Sequence, residues 1–264
     1  MKKLIATLGF LICISLLSAH EFWLHPQKFI FQTGEIINIR LMVGENYEGE
    51  NWKGNAQSVK SLELHLSDAI DDMTDQLKDS VGDSLQFAIY DEGTYMVSYN
   101  SNNKYIELEP LKFPEYLKED GLQNAIDYRN THNENDSAGK EYYQRSVKTI
   151  FQVGDNKTSI YKKSTNLPLD IIPQQNPYDS ALERISVKIL FEDKPLAGQM
   201  IKVWHRLDNQ TKEENLSTDE KGIISFDLTQ KGRWMVSTVK MERIDNDPKA
   251  QWQSYWGSCT WGYE

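Results

Sequence analysis

Short runs of alternating apolar and polar residues, each closed by Gly, Asn or Asp, recur along most of this chain. Side chains alternate across the faces of a strand, so this period marks strands with one buried face. Phe29-Ile30-Phe31 and Glu35 to Val43 (EIINIRLMV) flank a turn at Thr33-Gly34. Leu62, Leu64 and Leu66 alternate with Glu63 and His65, and Leu85 to Tyr90, Gly93 to Tyr99 and Lys104 to Leu108 follow. A second series runs through Ile185 to Leu190, Gln199 to His205, Ile223 to Leu228, Gly232 to Ser237 and the aromatic tail Trp252 to Tyr263. Closely spaced short strands of this kind predict a β-sandwich architecture.

Residues 111–151 break the pattern. Phe113-Pro114-Glu115-Tyr116-Leu117 starts a helix with proline in its first turn, and Gly121 is a stop signal. Leu122, Ile126 and Tyr128 continue helically, Asn130 to Lys140 is polar loop, and Tyr142, Tyr143, Val147 and Ile150 predict a further helix over Glu141 to Phe151. Leu167-Pro168-Leu169 through Asn176-Pro177 is proline-rich and extended, as linkers often are. The expectation is therefore a mainly β protein with two β-sandwich-like domains of immunoglobulin or transthyretin type. The first spans 20–166 and carries a helical insertion at about 111–151; a linker at 167–180 leads to the second, 181–264.

Residues 1–19 read as a signal peptide. Lys2 and Lys3 form the charged region, Leu4 to Leu17 the apolar core, and Ala19 is a small residue suited to cleavage. This predicts a periplasmic or extracellular protein with no transmembrane segment after cleavage. Without Lys2 and Lys3 the 29 basic residues fall to 27 against 39 acidic ones, taking the net charge from −10 to −12. A nucleic-acid partner is excluded on this ground, because phosphate binding needs clustered Lys and Arg. Cys13 lies inside the signal and leaves only Cys259, so no intramolecular disulfide is expected. No HExxH, nucleophile elbow, P-loop or CxxC is present, and the chain is read as non-enzymatic.

Cleavage after Ala19 would start the mature chain with His20. Its α-amine and imidazole Nδ1 then close a chelate ring on one metal ion, both donors losing their protons near neutrality. A cut after Ser15 would leave residues ahead of His20 and remove the chelate. Glu21 and Glu45 are nearby carboxylates, and His25 joins only if the chain bends, since an interval of five puts it on the opposite face of a strand from His20. Such a nitrogen–oxygen set suits Ni(II), Co(II) or Cu(II) rather than Ca(II) or Mg(II). The candidate metal ligands are His20, His25 and Glu21. His65 reads as a solvated side chain, His132 as a loop residue, His205 as partly buried and hydrogen-bonded, and Cys259 as a small buried hydrophobe.

His20-Glu21-Phe22-Trp23-Leu24-His25-Pro26 after a signal, Val43-Gly44-Glu45-Asn46-Tyr47-Glu48-Gly49-Glu50, and Phe113-Pro114-Glu115-Tyr116-Leu117-Lys118-Glu119-Asp120-Gly121-Leu122 form an ordered set with Asn176-Pro177-Tyr178, Lys194-Pro195-Leu196-Ala197-Gly198, Thr218-Asp219-Glu220-Lys221-Gly222 and the tail Trp252 to Trp261. In that order they resemble an exported bacterial family of unknown function associated with nickel and cobalt uptake. The resemblance covers nearly the whole mature chain and implies a β-rich periplasmic protein whose processed terminus begins with His. The chain departs from it at Lys240-Met241, where relatives carry His-Met. The favoured function is binding of nickel or cobalt through the processed histidine and delivery to a membrane or outer-membrane transporter. The alternative is a cell-envelope module that recognises glycan or peptide through exposed tryptophans and needs no metal. An oxidative copper enzyme built on the terminal histidine ranks last, because it needs a second well-placed histidine.

Overall fold

The computed structural model describes residues 21–52, 56–77 and 84–264, so the signal segment and His20 lie outside the described residues. In chain order the elements are β1 Glu21–Pro26, β2 Ile30–Phe31, β3 Ile36–Glu45, β4 Glu48–Asn51, β5 Val59–His65, β6 Ile70–Asp72, β7 Ser84–Ala88, β8 Gly93–Ser101 and β9 Lys104–Leu108. Two helices follow, α1 Lys112–Glu119 and α2 Gln123–Thr131. Then come β10 Gly139–Val153, β11 Leu169–Pro173, β12 Arg184–Phe191, β13 Lys194–Pro195, β14 Met200–Leu207, β15 Gln210–Ser217, β16 Ile223–Asp227, β17 Arg233–Arg243 and β18 Trp252–Gly262. The fold is mainly β, as the alternating pattern implies: among the described residues 53% are strand and 11% helix, short 3-10 turns included.

Among the described residues the strands form three sheets. A ten-stranded sheet runs β15-β14-β17-β18-β10-β8-β5-β6, with β2 and β9 also paired to β10. One four-stranded sheet (β1-β3-β4, with β7 on β3) covers part of one face, and another (β11-β12-β13, with β16 on β12) packs on the opposite face. Alternation along the central strands shows the layering. Tyr95, Val97 and Tyr99 of β8 enter one core with Ile37, Ile39 and Leu41, while Met96 enters the other with Ile171, Val187 and Ile189.

The large sheet joins the two expected domains without a break: β10 and β18 pair in parallel from Glu141↔Trp252 to Thr149↔Thr260. The segment expected as a linker contains β11, whose five residues are all buried. Across this seam the Lys148 ammonium binds the Asp170 carboxylate, both side chains almost wholly buried. Asp170 also accepts hydrogen bonds from Ser164 Oγ (3.0 Å), Thr165 N (2.9 Å) and Thr165 Oγ1 (3.1 Å).

The segment 141–151 is strand, not helix. Strand β10 lies between two layers, so its apolar residues need not alternate with solvent-facing ones. Its polar residues find partners instead: Gln144 bonds Asn100 at 2.7 Å and Gln152 accepts from Thr94 at 2.8 Å. The helical excursion is confined to α1 and α2, which bury Phe113, Tyr116 and Leu117 against Val239, Met241 and Trp252. Gly121, at φ +64°, ends the excursion's first helix as expected. No helix among the described residues is long and apolar enough to cross a membrane.

Candidate functional site

Strand β1 organises two polar sites, one at each end. Ser258 and Thr260 of β18 donate to the carbonyls of Phe22 and Leu24 at 2.7 and 2.8 Å, fixing β1 across the large sheet. Phe22 and Leu24 then enter a core cluster. Glu21, Trp23 and His25 face the side chains of β14 and β17, where Lys202, Trp204 and Arg206 stand at the matching two-residue spacing. Between the two ends Trp23, Tyr47, Trp204 and Met235 form an apolar plug.

The first site is acidic. Lys202 Nζ lies 2.7 Å from Asp120 Oδ1 and 3.6 Å from Glu21 Oε1, and all three side chains are buried. Asp120 follows directly on the C-terminus of α1, so the helical excursion delivers this carboxylate to the start of β1. Glu141 adds a third carboxylate within electrostatic range of Asp120. Its Oε1 accepts from Ser254 Oγ at 3.1 Å, and Ser254 Oγ accepts from Trp256 Nε1 at 3.0 Å. Glu21, Asp120, Lys202, Ser237, Thr238 and Ser258 border a cavity of about 20 Å³, which has room for about one ion or water.

Burial dominates the proton affinities here. Desolvation raises Glu21 from its ordinary 4.5 to about 7 and Asp120 from 3.8 to about 6, with Lys202 opposing both shifts. Glu141 is raised to about 8, mainly by burial, against the opposing hydrogen-bonding influence of Ser254 and Tyr116 and with a smaller push from Asp120. Burial pulls the Lys202 ammonium downward, but Asp120 and Glu21 more than offset this and its affinity for the proton is raised. Glu21 and Asp120 therefore share one lysine, and Glu141 adds its charge only through its proximity to Asp120.

The second site is cationic, and His25 belongs to it. Glu21 and His25 are four residues apart on a straight strand, about 13 Å, so the structure does not bring these two candidate ligands together. Arg233 Nη1 approaches His25 Nε2 at 3.3 Å. Burial first, then Arg233 and Arg40, lowers His25 to about 4. A histidine beside two guanidinium groups is in a poor setting for a metal cation. His65, expected as solvated, is only 3% exposed, with Nε2 2.8 Å from Ser98 Oγ. His132 stacks on Tyr128, and His205 stacks on Trp234 with its Nε2 3.0 Å from the Lys231 carbonyl oxygen.

Among the described residues no three His, Cys, Asp or Glu side chains converge as a metal centre. Sequence reasoning found Glu21 and missed Asp120, Glu141 and Lys202. One signal was available: Lys202, Trp204 and Arg206 put a charged face opposite the apolar Ile201 and Val203. Asp120 carries no such signal, because its place depends on how α1 docks.

A family profile described as a domain of unknown function, DUF4198, matches residues 17–242, and the chain belongs to that family. No curated protein matches. Among solved structures, the chain is similar to a Salmonella alpha-2-macroglobulin at 12% identity and TM-score 0.23, over 92% of this chain and 15% of that one. It is similar to the BSP domain of a biofilm-associated protein at 13% identity and TM-score 0.21, over 90% of this chain and 29% of that one. A three-domain fragment of the bacteriophage RB49 outer capsid protein Hoc matches at 8% identity and TM-score 0.21, over 93% and 71%. The chain thus spans about 15% of the length of the first of these and 29% of the second. Likeness at this level bears on neither activity nor partners.

Proposed function

We propose that this member of the family is an exported carrier of a divalent transition metal, nickel or cobalt, which it holds at the acidic end of β1. The observation that carries the reading is the excess of buried carboxylates at the residue that follows His20. Glu21 and Asp120 outnumber the one ammonium between them, and a divalent cation can take the place of the proton that burial holds on Glu21 near neutrality. The described carboxylates do not make a metal centre by themselves. The two nitrogens of a processed His20 complete the set, one peptide bond away from Glu21.

In this reading His20 offers amine and imidazole nitrogens, and Glu21 and Asp120 offer one oxygen each. That mixed nitrogen–oxygen set suits nickel, cobalt and copper. Cu(II) binds the same donors more tightly in vitro, so affinity alone does not identify the physiological metal. His25 is left out, because Arg233 and Arg40 surround it. Metal competes with protons on Glu21 and Asp120, so affinity rises from pH 6 to pH 8, across the values of about 7 and about 6 that burial gives them. The partner is a membrane or outer-membrane transporter that accepts the metal.

The alternative glycan- or peptide-binding module loses its main support. Trp23, Trp204, Trp234, Trp252 and Trp261 are buried, leaving Trp52 and Trp256 half-buried. Mass spectrometry of the mature terminus followed by calorimetric titration with Ni(II) and Co(II) tests the carrier reading. Protein starting at His20 is expected to bind at least tenfold more tightly than protein with one extra N-terminal residue. Equal affinity in both would sink it.

A further inference from the structure

We propose that the cleft at the other end of β1 binds a small oxyanion, with Arg233 and Arg206 as its guanidinium clamp. The cleft has a volume of about 380 Å³ and opens between β1, the β3–β4 hairpin, and the ends of β14 and β17. Arg206 and Arg233 line it with His25, Tyr47, Glu48 and Gly49.

Its donors outnumber its acceptors. Among the described residues Arg233 has no carboxylate partner, and its Nε is buried without a hydrogen bond. A neutral imidazole carries one proton, and Nε2 accepts from Arg233, so the proton sits on Nδ1. That Nδ1 is also buried without a partner. Both residues line the cleft, and an acceptor that reached these two buried donors would relieve the cost of leaving them unpaired. Arg206 already binds a carboxylate, that of Glu48. The Arg206 side chain is 11% exposed and that of Glu48 60%, so a largely buried cation holds a surface anion on a hairpin tip. A ligand oxyanion can join or replace it there.

The hairpin is built to stand over this cleft. Asn46 and Tyr47 both adopt left-handed backbone, at φ 55° and 56°. Bulky residues rarely do so. In return the Tyr47 ring turns inward, wholly buried, against Trp23 and beneath Arg233 at 5.3 Å. A Cβ on Gly49 would lie 2.2 Å from the Val43 carbonyl oxygen and 2.8 Å from the Trp23 ring, so glycine is required for this closure. The sequence runs 21–26 and 43–50, which belong to the set that marks the chain's family resemblance, thus meet beside this cleft. The metal-carrier reading uses Glu21 but leaves the His25 end of this meeting point unused. A planar guanidinium pair recognises carboxylates and phosphates alike.

Calorimetric titration of the full mature chain at low ionic strength, with malonate, acetate and inorganic phosphate in turn, tests this. Saturable one-to-one binding of at least one anion is expected. A preference for malonate or acetate assigns an organic acid, and a preference for phosphate assigns a phosphate ligand. Arg233→Gln should weaken binding more than about tenfold, the loss expected for hydrogen bonds to a charged group. Glu48→Gln lies on an exposed tip and should tighten binding several-fold by freeing Arg206. If Arg233→Gln does not fold, Arg233→Lys keeps the charge without the fork and should still bind more weakly. No saturable binding at millimolar anion, or unchanged affinity in both Glu48→Gln and the folded Arg233 variant, overturns the proposal.

Discussion

Replacing Glu141 by Gln should make the protein more stable at high pH and leave it nearly unchanged at low pH. Glu141 is 2% exposed, has no salt-bridge partner among the described residues, and has its proton affinity raised from an ordinary 4.5 to about 8. A carboxyl raised in the folded state binds protons more tightly there than in the unfolded chain. Its stabilising contribution is present in full below pH 4.5 and is lost as pH rises towards 8. Each pH unit in that window costs about 1.4 kcal/mol, so the loss is roughly 3 kcal/mol at pH 7 and approaches about 5 kcal/mol above pH 8. Gln keeps an acceptor for Ser254 Oγ and has no proton to lose. Urea unfolding of both proteins at pH 5, 7 and 9 measures the difference directly. The variant's advantage should grow steadily across that range. A difference that stays constant with pH, or a wild type that gains on the variant as pH rises, would refute the reasoning.

Other consequences follow from the same structure. Lys148→Met removes one partner of the buried pair that ties β10 to β11 and should cost about 3 kcal/mol in chemical denaturation. This is the low end of the range for such losses, since three hydrogen bonds still reach Asp170. Gly139→Ala places a Cβ 2.1 Å from the Phe113 ring and should cost about 1–3 kcal/mol by the same assay, with α1 losing protection from hydrogen exchange first. His25→Gln should leave nickel and cobalt affinity within about twofold, because the residue stands among arginines about 13 Å along β1 from Glu21; a larger loss on titration would place His25 in the metal site after all.

The β architecture was legible because most strands expose one face, as in Leu62, Leu64 and the polar Glu63 between them. The pattern failed where both faces are buried. In β10 the polar Gln144, Lys148 and Gln152 are satisfied by partners far away in sequence, and no local rule predicts that. Strand β11 was hidden for a related reason: prolines at 168 and 173 read as a linker, although every residue of Leu169–Pro173 is buried in a sheet. The same holds for the acidic site. Glu21 was readable from its place beside His20, whereas Asp120 acquires meaning only when α1 brings it to Lys202, and Glu141 only when β10 brings it near Asp120. His65 was misread because its strand's polar face packs against Ser98 rather than water.

Anomalous diffraction from crystals of the mature protein loaded with cobalt is the most direct test of the metal-carrier reading. A single ion is expected about 2.0–2.2 Å from a carboxylate oxygen of Glu21 or Asp120, the usual metal–oxygen range. Its remaining donors should be the amine and imidazole of His20. An ion bound at His25, an ion bound only at surface histidines, or no ion at all would contradict it.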